Sequence, residues 1–127
     1  MSMNLTIYHH PRCSKSRKTL EIIRSHGIEP RIVEYLRAPP TAKTIMQLAR
    51  QLNLPVSALL RSAEPAWRDS GADGSRPEPA DGAALAAWLA QHPAGLQRPV
   101  VVDEDHGRAV LGRPPENVLE LLAGGPG

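Results

Sequence analysis

Leu5-Thr6-Ile7-Tyr8-His9-His10-Pro11-Arg12-Cys13-Ser14-Lys15-Ser16-Arg17 runs from a β-favouring stretch through a loop and into a segment with helical character. Leu5 to Tyr8 are apolar, β-branched or aromatic and are stopped by His-His-Pro, which predicts a short strand feeding a loop. From Ser14 to His26 there is no Gly or Pro, Leu20, Ile22 and Ile23 supply an apolar face, and Gly27 stands where a left-handed residue ends a helix. Arg24 and His26 fall in the last turn, where cations suit the helix dipole. Arg31-Ile-Val-Glu-Tyr35 then reads as a second strand. The result is a β-loop-α-β unit with parallel strands and a right-handed crossover, and its helix begins at Cys13.

Downstream, Ala38-Pro39-Pro40 breaks the chain, and Thr41 is placed to cap a helix through about Asn53 that carries Ile45, Leu48, Ala49 and Leu52. A short helical turn is expected from Val56 to Leu60. Ser62 to Gly82 is rich in Pro, Gly, Ser, Asp and Glu and reads as a loop. Asp81 is a candidate cap for a helix to about His92, ended by Pro93. Arg98-Pro-Val-Val-Val102 and Arg108-Ala-Val-Leu111 read as a hairpin across Asp103 to Gly107, and Pro115 to Leu122 as a last helix. The predicted fold is α/β with a four-stranded mixed sheet, in the order β-α-β, helical insert, β-β-α, which is the order of the thioredoxin-like architecture. One domain is expected over 1–123, with the helical insertion at about 40–93 and a disordered tail over 124–127.

A chain of 127 residues suits a single folding unit. Apolar residues make up 41% but aromatics only 3%, so the core must come from Leu, Ile, Val and Ala, and no aromatic platform for nucleic-acid bases is expected. A net charge of +2 is too small to mark a polyanion binder. Its distribution is uneven: up to Arg24 there are Arg12, Lys15, Arg17, Lys18 and Arg24 against Glu21 alone. The start lacks the apolar core of a secretory signal and no run approaches a membrane span, so the expectation is a soluble, cytoplasmic protein with no membrane partner. A monomer without a nucleic-acid partner is also expected.

Cys13 is the only cysteine, which excludes an intrachain disulfide or a thiolate metal cluster, and no metal or bound cofactor is expected. A lone cysteine is by default a small buried hydrophobe. Here Arg12, Ser14, Lys15 and Ser16 are poor core neighbours, and the opening of a helix offers unpaired N–H donors and the positive end of its dipole. An ordinary cysteine is only about 3% thiolate at pH 7, and a fall of about two pKa units would make it roughly three-quarters ionised. A two-electron thiol reduction needs two sulfurs, so a reductase built on this chain takes the second from glutathione or a glutaredoxin. Ser16 occupies the position of the resolving sulfur in a Cys-x-x-Cys protein, and Thr19 stands where a phosphatase loop requires Arg.

The loop His9-x-Pro-x-Cys13-x-x-Ser16-Arg17 with Thr19-Leu20 resembles the nucleophile loop of the glutaredoxin- and glutathione-coupled arsenate reductases. The resemblance continues through Glu34-Tyr35-Leu36-x-x-Pro39-Pro40, Ala58-Leu59-Leu60-Arg61, Gln91-His92-Pro93, Gln97-Arg98-Pro99-Val100-Val101-Val102 and Gly112-Arg113-Pro114-Pro115-Glu116. It implies a thioredoxin-like fold in which Cys13 is the catalytic nucleophile toward arsenate and Arg61, Arg98 and Arg113 bind the substrate oxyanion. It also implies that His9 and Ser16 stabilise the thiolate and that Pro99 is a cis-proline facing the cysteine. Glutathione would be a co-substrate and glutaredoxin a partner.

Guanidinium forks suit tetrahedral oxyanions, so arginines beside three separate predicted elements fit such a role, while Arg12 and Arg17 read as surface or docking charges. Where family members with arsenate activity often carry Asn-Pro-x-Cys-Gly-Thr-Ser, this chain has His10-Pro-Arg-Cys-Ser-Lys-Ser, which makes Ser14 and Lys15 candidate anion-loop residues. Two other readings share the fold. One is a glutathione-dependent thiol oxidoreductase acting on another substrate. The other is a non-catalytic, Spx-like transcription regulator that binds RNA polymerase.

Overall fold

The computed structural model describes residues 3–123; the tail at 124–127 lies outside the described residues. In chain order the elements are β1 (Leu5–His9), α1 (Ser14–Ser25), β2 (Arg31–Glu34), α2 (Ala42–Leu52), a 3-10 turn (Val56–Leu59), α3 (Pro65–Ala72), α4 (Gly82–Gln91), a 3-10 turn (Pro93–Gly95), β3 (Val100–Asp103), β4 (Arg108–Leu111), a 3-10 turn (Pro115–Val118) and α5 (Leu119–Ala123). They form two compact units, one built from residues 3–35 and 98–123, the other from Leu36–Gln97.

In the first unit the strand order is β2-β1-β3-β4. β1 runs parallel to β2, with Ile7 opposite Ile32, and antiparallel to β3, with Ile7 opposite Val101. β3 and β4 close the hairpin with Val101 opposite Val110. This is the expected four-stranded mixed sheet. The central strands β1 and β3 are buried along nearly their whole length, whereas β2 and β4 at the edges are partly exposed. That difference is why Val100 to Val102 is an unbroken apolar run. β3 begins at Val100 rather than at Arg98, since Pro99 has no N–H to give to a ladder.

α1 buries Ser16, Thr19, Leu20 and Ile23, spaced as one helical face. Leu20 and Ile23 join Leu5, Ile7, Val101, Val118 and Leu121 in one apolar cluster. Gly27 follows α1 with φ +77°, a conformation that L side chains rarely adopt. The last helix is tighter at its start than the sequence implies: Pro115–Val118 is a 3-10 turn and only Leu119–Ala123 is α-helical. Short 3-10 turns are common at helix starts.

In the second unit the Thr41 hydroxyl caps α2 by accepting from Thr44 N–H at 3.1 Å, and Asn53 closes it at φ 58°. Asp81 caps α4 in the same way through Ala84 N–H at 3.1 Å. α2 packs on α4, burying Ile45, Leu48 and Ala49 from one and Leu85, Ala86 and Leu89 from the other.

The expectation of a loop from Ser62 to Gly82 is corrected, because Pro65–Ala72 is a helix. Pro65 sits in its first turn, where its missing N–H costs nothing. One buried side chain, Trp67, does the work of an apolar stripe: it meets Trp88 edge-on at 5.1 Å, and Arg76 stacks over it at 4.3 Å while donating to its carbonyl at 2.7 Å. A side chain on Gly71 would run into that guanidinium. Among the described residues no helix is long and apolar enough to cross a membrane. Among those residues, no group of three or more His, Cys, Asp or Glu could hold a metal ion.

Candidate active site

β1 ends at His9, and the chain turns through His10, Pro11 and Arg12 to Cys13, the N-cap of α1, with φ −89° and ψ 121°. The Cys13 carbonyl already accepts the first helical bond, from Arg17 N–H at 2.9 Å. Its partly exposed thiol therefore stands over first-turn N–H groups that have no partner within the helix. No short cap bond forms to the sulfur. The Ser16 and Lys15 N–H groups and the Arg98 side chain act on it instead as weaker donors, a kind of interaction that strengthens when the acceptor is charged. Burial is the largest single influence on Cys13 and pushes its pKa up; the Ser16 N–H, the Arg98 side chain, the Lys15 N–H and the Arg98 charge together outweigh it. The net effect holds the thiol below its ordinary value.

Ser16 is fully buried, and its two polar parts face different ways. Its N–H favours the sulfur, whereas its hydroxyl oxygen accepts from His10 N–H at 3.1 Å and shares a hydrogen bond with His9 Nδ1 at 2.6 Å. His9, 7% exposed, thus ties the end of β1 to the buried face of α1. Its pKa is lowered, first by burial and further by His10, Arg24 and Arg17, with Glu34 opposing. Ser14 and Lys15 are exposed on the first turn of α1, and the Lys15 carbonyl accepts from Thr19 Oγ1 at 2.8 Å.

The second side of the site comes from the segments flanking the hairpin. Arg98 lies just ahead of β3, its peptide to Pro99 is cis, and its Nε is buried with no acceptor. Arg113 follows β4, also ahead of a cis proline, and its guanidinium donates to the Arg98 carbonyl at 3.3 Å. Gly112 N–H donates to the Pro99 carbonyl at 2.9 Å. Only glycine fits there, since a Cβ would lie 2.5 Å from Thr19 Oγ1 and 2.7 Å from Pro99 Cγ. Cys13, His9, Ser16, Arg98, Pro99 and Arg113 therefore belong to one unit. Arg61 belongs to the other, where its N–H donates to the Gly95 carbonyl at 2.7 Å and its guanidinium lies 3.6 Å from Glu64.

Sequence reasoning gave no site role to four residues of this neighbourhood. Asn117 Nδ2 donates to the Leu111 and Arg113 carbonyls at 3.1 and 3.2 Å and so holds the segment bearing Arg113. Glu34 pairs with His9 in the β1–β2 register. Thr19 and Gly112 set the approach of α1 to Pro99. Only Gly112, between a strand and Arg-Pro-Pro, carried a signal of its own. Chemically the arrangement favours a thiolate and sets a buried, unsatisfied guanidinium donor beside it, which is a setting for anionic oxygen.

The sequence model of the ArsC family matches residues 8–121. An Escherichia coli (strain K12) protein, YfgD, described as uncharacterised, is 39% identical, with 96% of this chain and 99% of that protein covered. An arsenate reductase from the same strain is 40% identical, with 94% of this chain and 81% of that protein covered. Among solved structures, an arsenate reductase from Vibrio cholerae superimposes with a TM-score of 0.84 at 39% identity, covering 94% of this chain and 98% of the other.

Proposed function

This chain belongs to the ArsC family, and from that premise we propose that it is an arsenate reductase whose nucleophile is Cys13. The observation that carries the reading is the meeting of a thiol held below its ordinary pKa at the start of α1 with Arg98, whose Nε is buried and unpaired. A thiolate needs stabilising donors before it attacks, and an incoming tetrahedral oxyanion supplies the acceptor that Arg98 Nε lacks.

In the proposed reaction the Cys13 sulfur bonds to As(V) and one arsenate oxygen, once protonated, leaves as water. Arg98 and Arg113 hold the remaining oxygens. A glutathione thiol then attacks the intermediate, and a second thiol, delivered by glutathione or a glutaredoxin, completes the exchange. Two thiols end as a disulfide, their two electrons reduce As(V) to As(III), and arsenite and free Cys13 are released. The need for an outside thiol follows from the single cysteine of the chain.

The test is arsenite formation by the purified protein supplied with arsenate, glutathione and glutaredoxin. Cys13→Ser is expected to abolish it. Wild-type turnover no greater than that of Cys13→Ser would sink the proposal. A glutathione-dependent oxidoreductase acting on another substrate is the second reading, favoured by His10, Ser14 and Lys15 standing where members with arsenate activity often carry Asn, Gly and Thr. Faster turnover of a mixed glutathione disulfide than of arsenate would select that reading.

A further inference from the structure

We propose that His10 is the positioning residue of the thiol loop, its Nδ1 holding the Arg12 N–H so that Cys13 is kept as the N-cap of α1. The proposal rests on the reading of Cys13 as the reactive thiol. His10 is tied into the loop at three points. Its N–H donates to Ser16 Oγ at 3.1 Å, its carbonyl accepts from Cys13 N–H at 3.0 Å, and its Nδ1 accepts from Arg12 N–H at 3.1 Å. The ring also meets Tyr35 edge-on, with centroids 6.3 Å apart and planes at 69°.

The bond from Nδ1 to an N–H two residues on closes the same ring that an asparagine or aspartate oxygen closes in an Asx-turn. Imidazole Nδ1 and carboxamide Oδ1 are each bonded to Cγ, so the two atoms reach the same place. Pro11, between the ends of this ring, has no N–H to contribute. The turn therefore leans on the side-chain acceptor and on the bond from Cys13 N–H to the His10 carbonyl. Together they set the extended Cys13 backbone that carries the sulfur to the Ser16 and Lys15 N–H groups. Without the acceptor, Arg12 N–H loses its partner, the turn loosens, and the sulfur is presented to its donors for less of the time.

The experiment is iodoacetamide alkylation of Cys13 across pH in two variants that exchange the two properties of the ring, with folding followed by circular dichroism. His10→Phe keeps a ring beside Tyr35 and deletes the acceptor, whereas His10→Asn keeps the acceptor and deletes the ring. His10→Asn is expected to react within about twofold of wild type, and His10→Phe about tenfold more slowly below the wild-type midpoint, a displacement of about one pH unit. Wild-type rates in His10→Phe, or rates in folded His10→Asn as low as those in His10→Phe, overturn the proposal. Should His10→Phe not fold, His10→Leu, which also deletes the acceptor, takes its place: a tenfold loss beside near-wild-type rates in His10→Asn supports the proposal, and wild-type rates in folded His10→Leu overturn it. A wild-type midpoint at the ordinary thiol value would instead remove the reading of Cys13 itself. The assay uses no arsenate, so it does not depend on the substrate.

Discussion

Arg98 stands beside Cys13 both as a hydrogen-bond donor and as a positive charge, while its own Nε is buried with no acceptor. A charge-assisted hydrogen bond contributes roughly 1.5–3 kcal/mol, and for a partly exposed thiol the lower end of that range applies. Arg98→Leu is therefore expected to move the midpoint of Cys13 alkylation up by about one pH unit. Arg98→Lys returns the charge without the fork and should recover only part of that shift. An unchanged midpoint in Arg98→Leu would show that the helix start alone sets the thiol. Arsenate should slow alkylation of the wild type, and its protective effect should be lost in Arg98→Leu.

Gly112 is where two segments of the site touch. Thr19 is fixed by its bond to the Lys15 carbonyl and Pro99 by its ring, so neither can easily make room for a Cβ at 2.5 and 2.7 Å. Gly112→Ala is expected to cost about 1–3 kcal/mol, read as a lower urea midpoint with an unchanged slope. Because Pro99 carries Arg98 and Thr19 lies on α1, alkylation of Cys13 should slow in the folded fraction as well. A urea midpoint equal to wild type would contradict the crowding.

His9 ties stability to pH. Burial lowers its pKa from an ordinary value of 6.5, so between the two values the unfolded chain binds more protons than the folded one. The stabilisation is complete above about pH 6.5 and is lost as pH falls toward the folded-state value. His9→Asn, whose amide does not titrate, should flatten the fall in urea stability between about pH 7.5 and pH 5.5. Equal slopes in the two proteins would mean that His9 accepts a proton without strain.

The parts of this chain that were legible in its sequence are those fixed by local chemistry. Leu5 to Tyr8 stopped by His-His-Pro, the uninterrupted run to Gly27, and Thr41 and Asp81 as caps all signal through their immediate neighbours, and the corresponding elements lie where those signals put them. α3 gave no such signal because its buried face is essentially Trp67, held by Trp88 and Arg76 from other segments. In the same way, the position of Cys13 at a helix start is a local property, readable from composition. The division of Ser16 between its N–H and its hydroxyl is not, since it depends on where β1 places His9 and His10.

The cations around Cys13 provide the remaining prediction. Arg12, Lys15 and Arg17 are exposed, and no acidic residue lies in the first turn of α1. If the second thiol comes from glutathione, which carries net negative charge at neutral pH, these groups should raise its local concentration at the sulfur. Reversing Lys15 and Arg17 to Glu is expected to lower the second-order rate with glutathione several-fold at low salt and to leave the rate with neutral 2-mercaptoethanol within about twofold. Salt screens charges over roughly 8–10 Å near physiological strength, so the difference between the two thiols should shrink as salt is added. Equal losses with both thiols would point to a disturbed loop instead of lost attraction. No loss with either would remove the role for the local charge that first set Cys13 apart in the sequence.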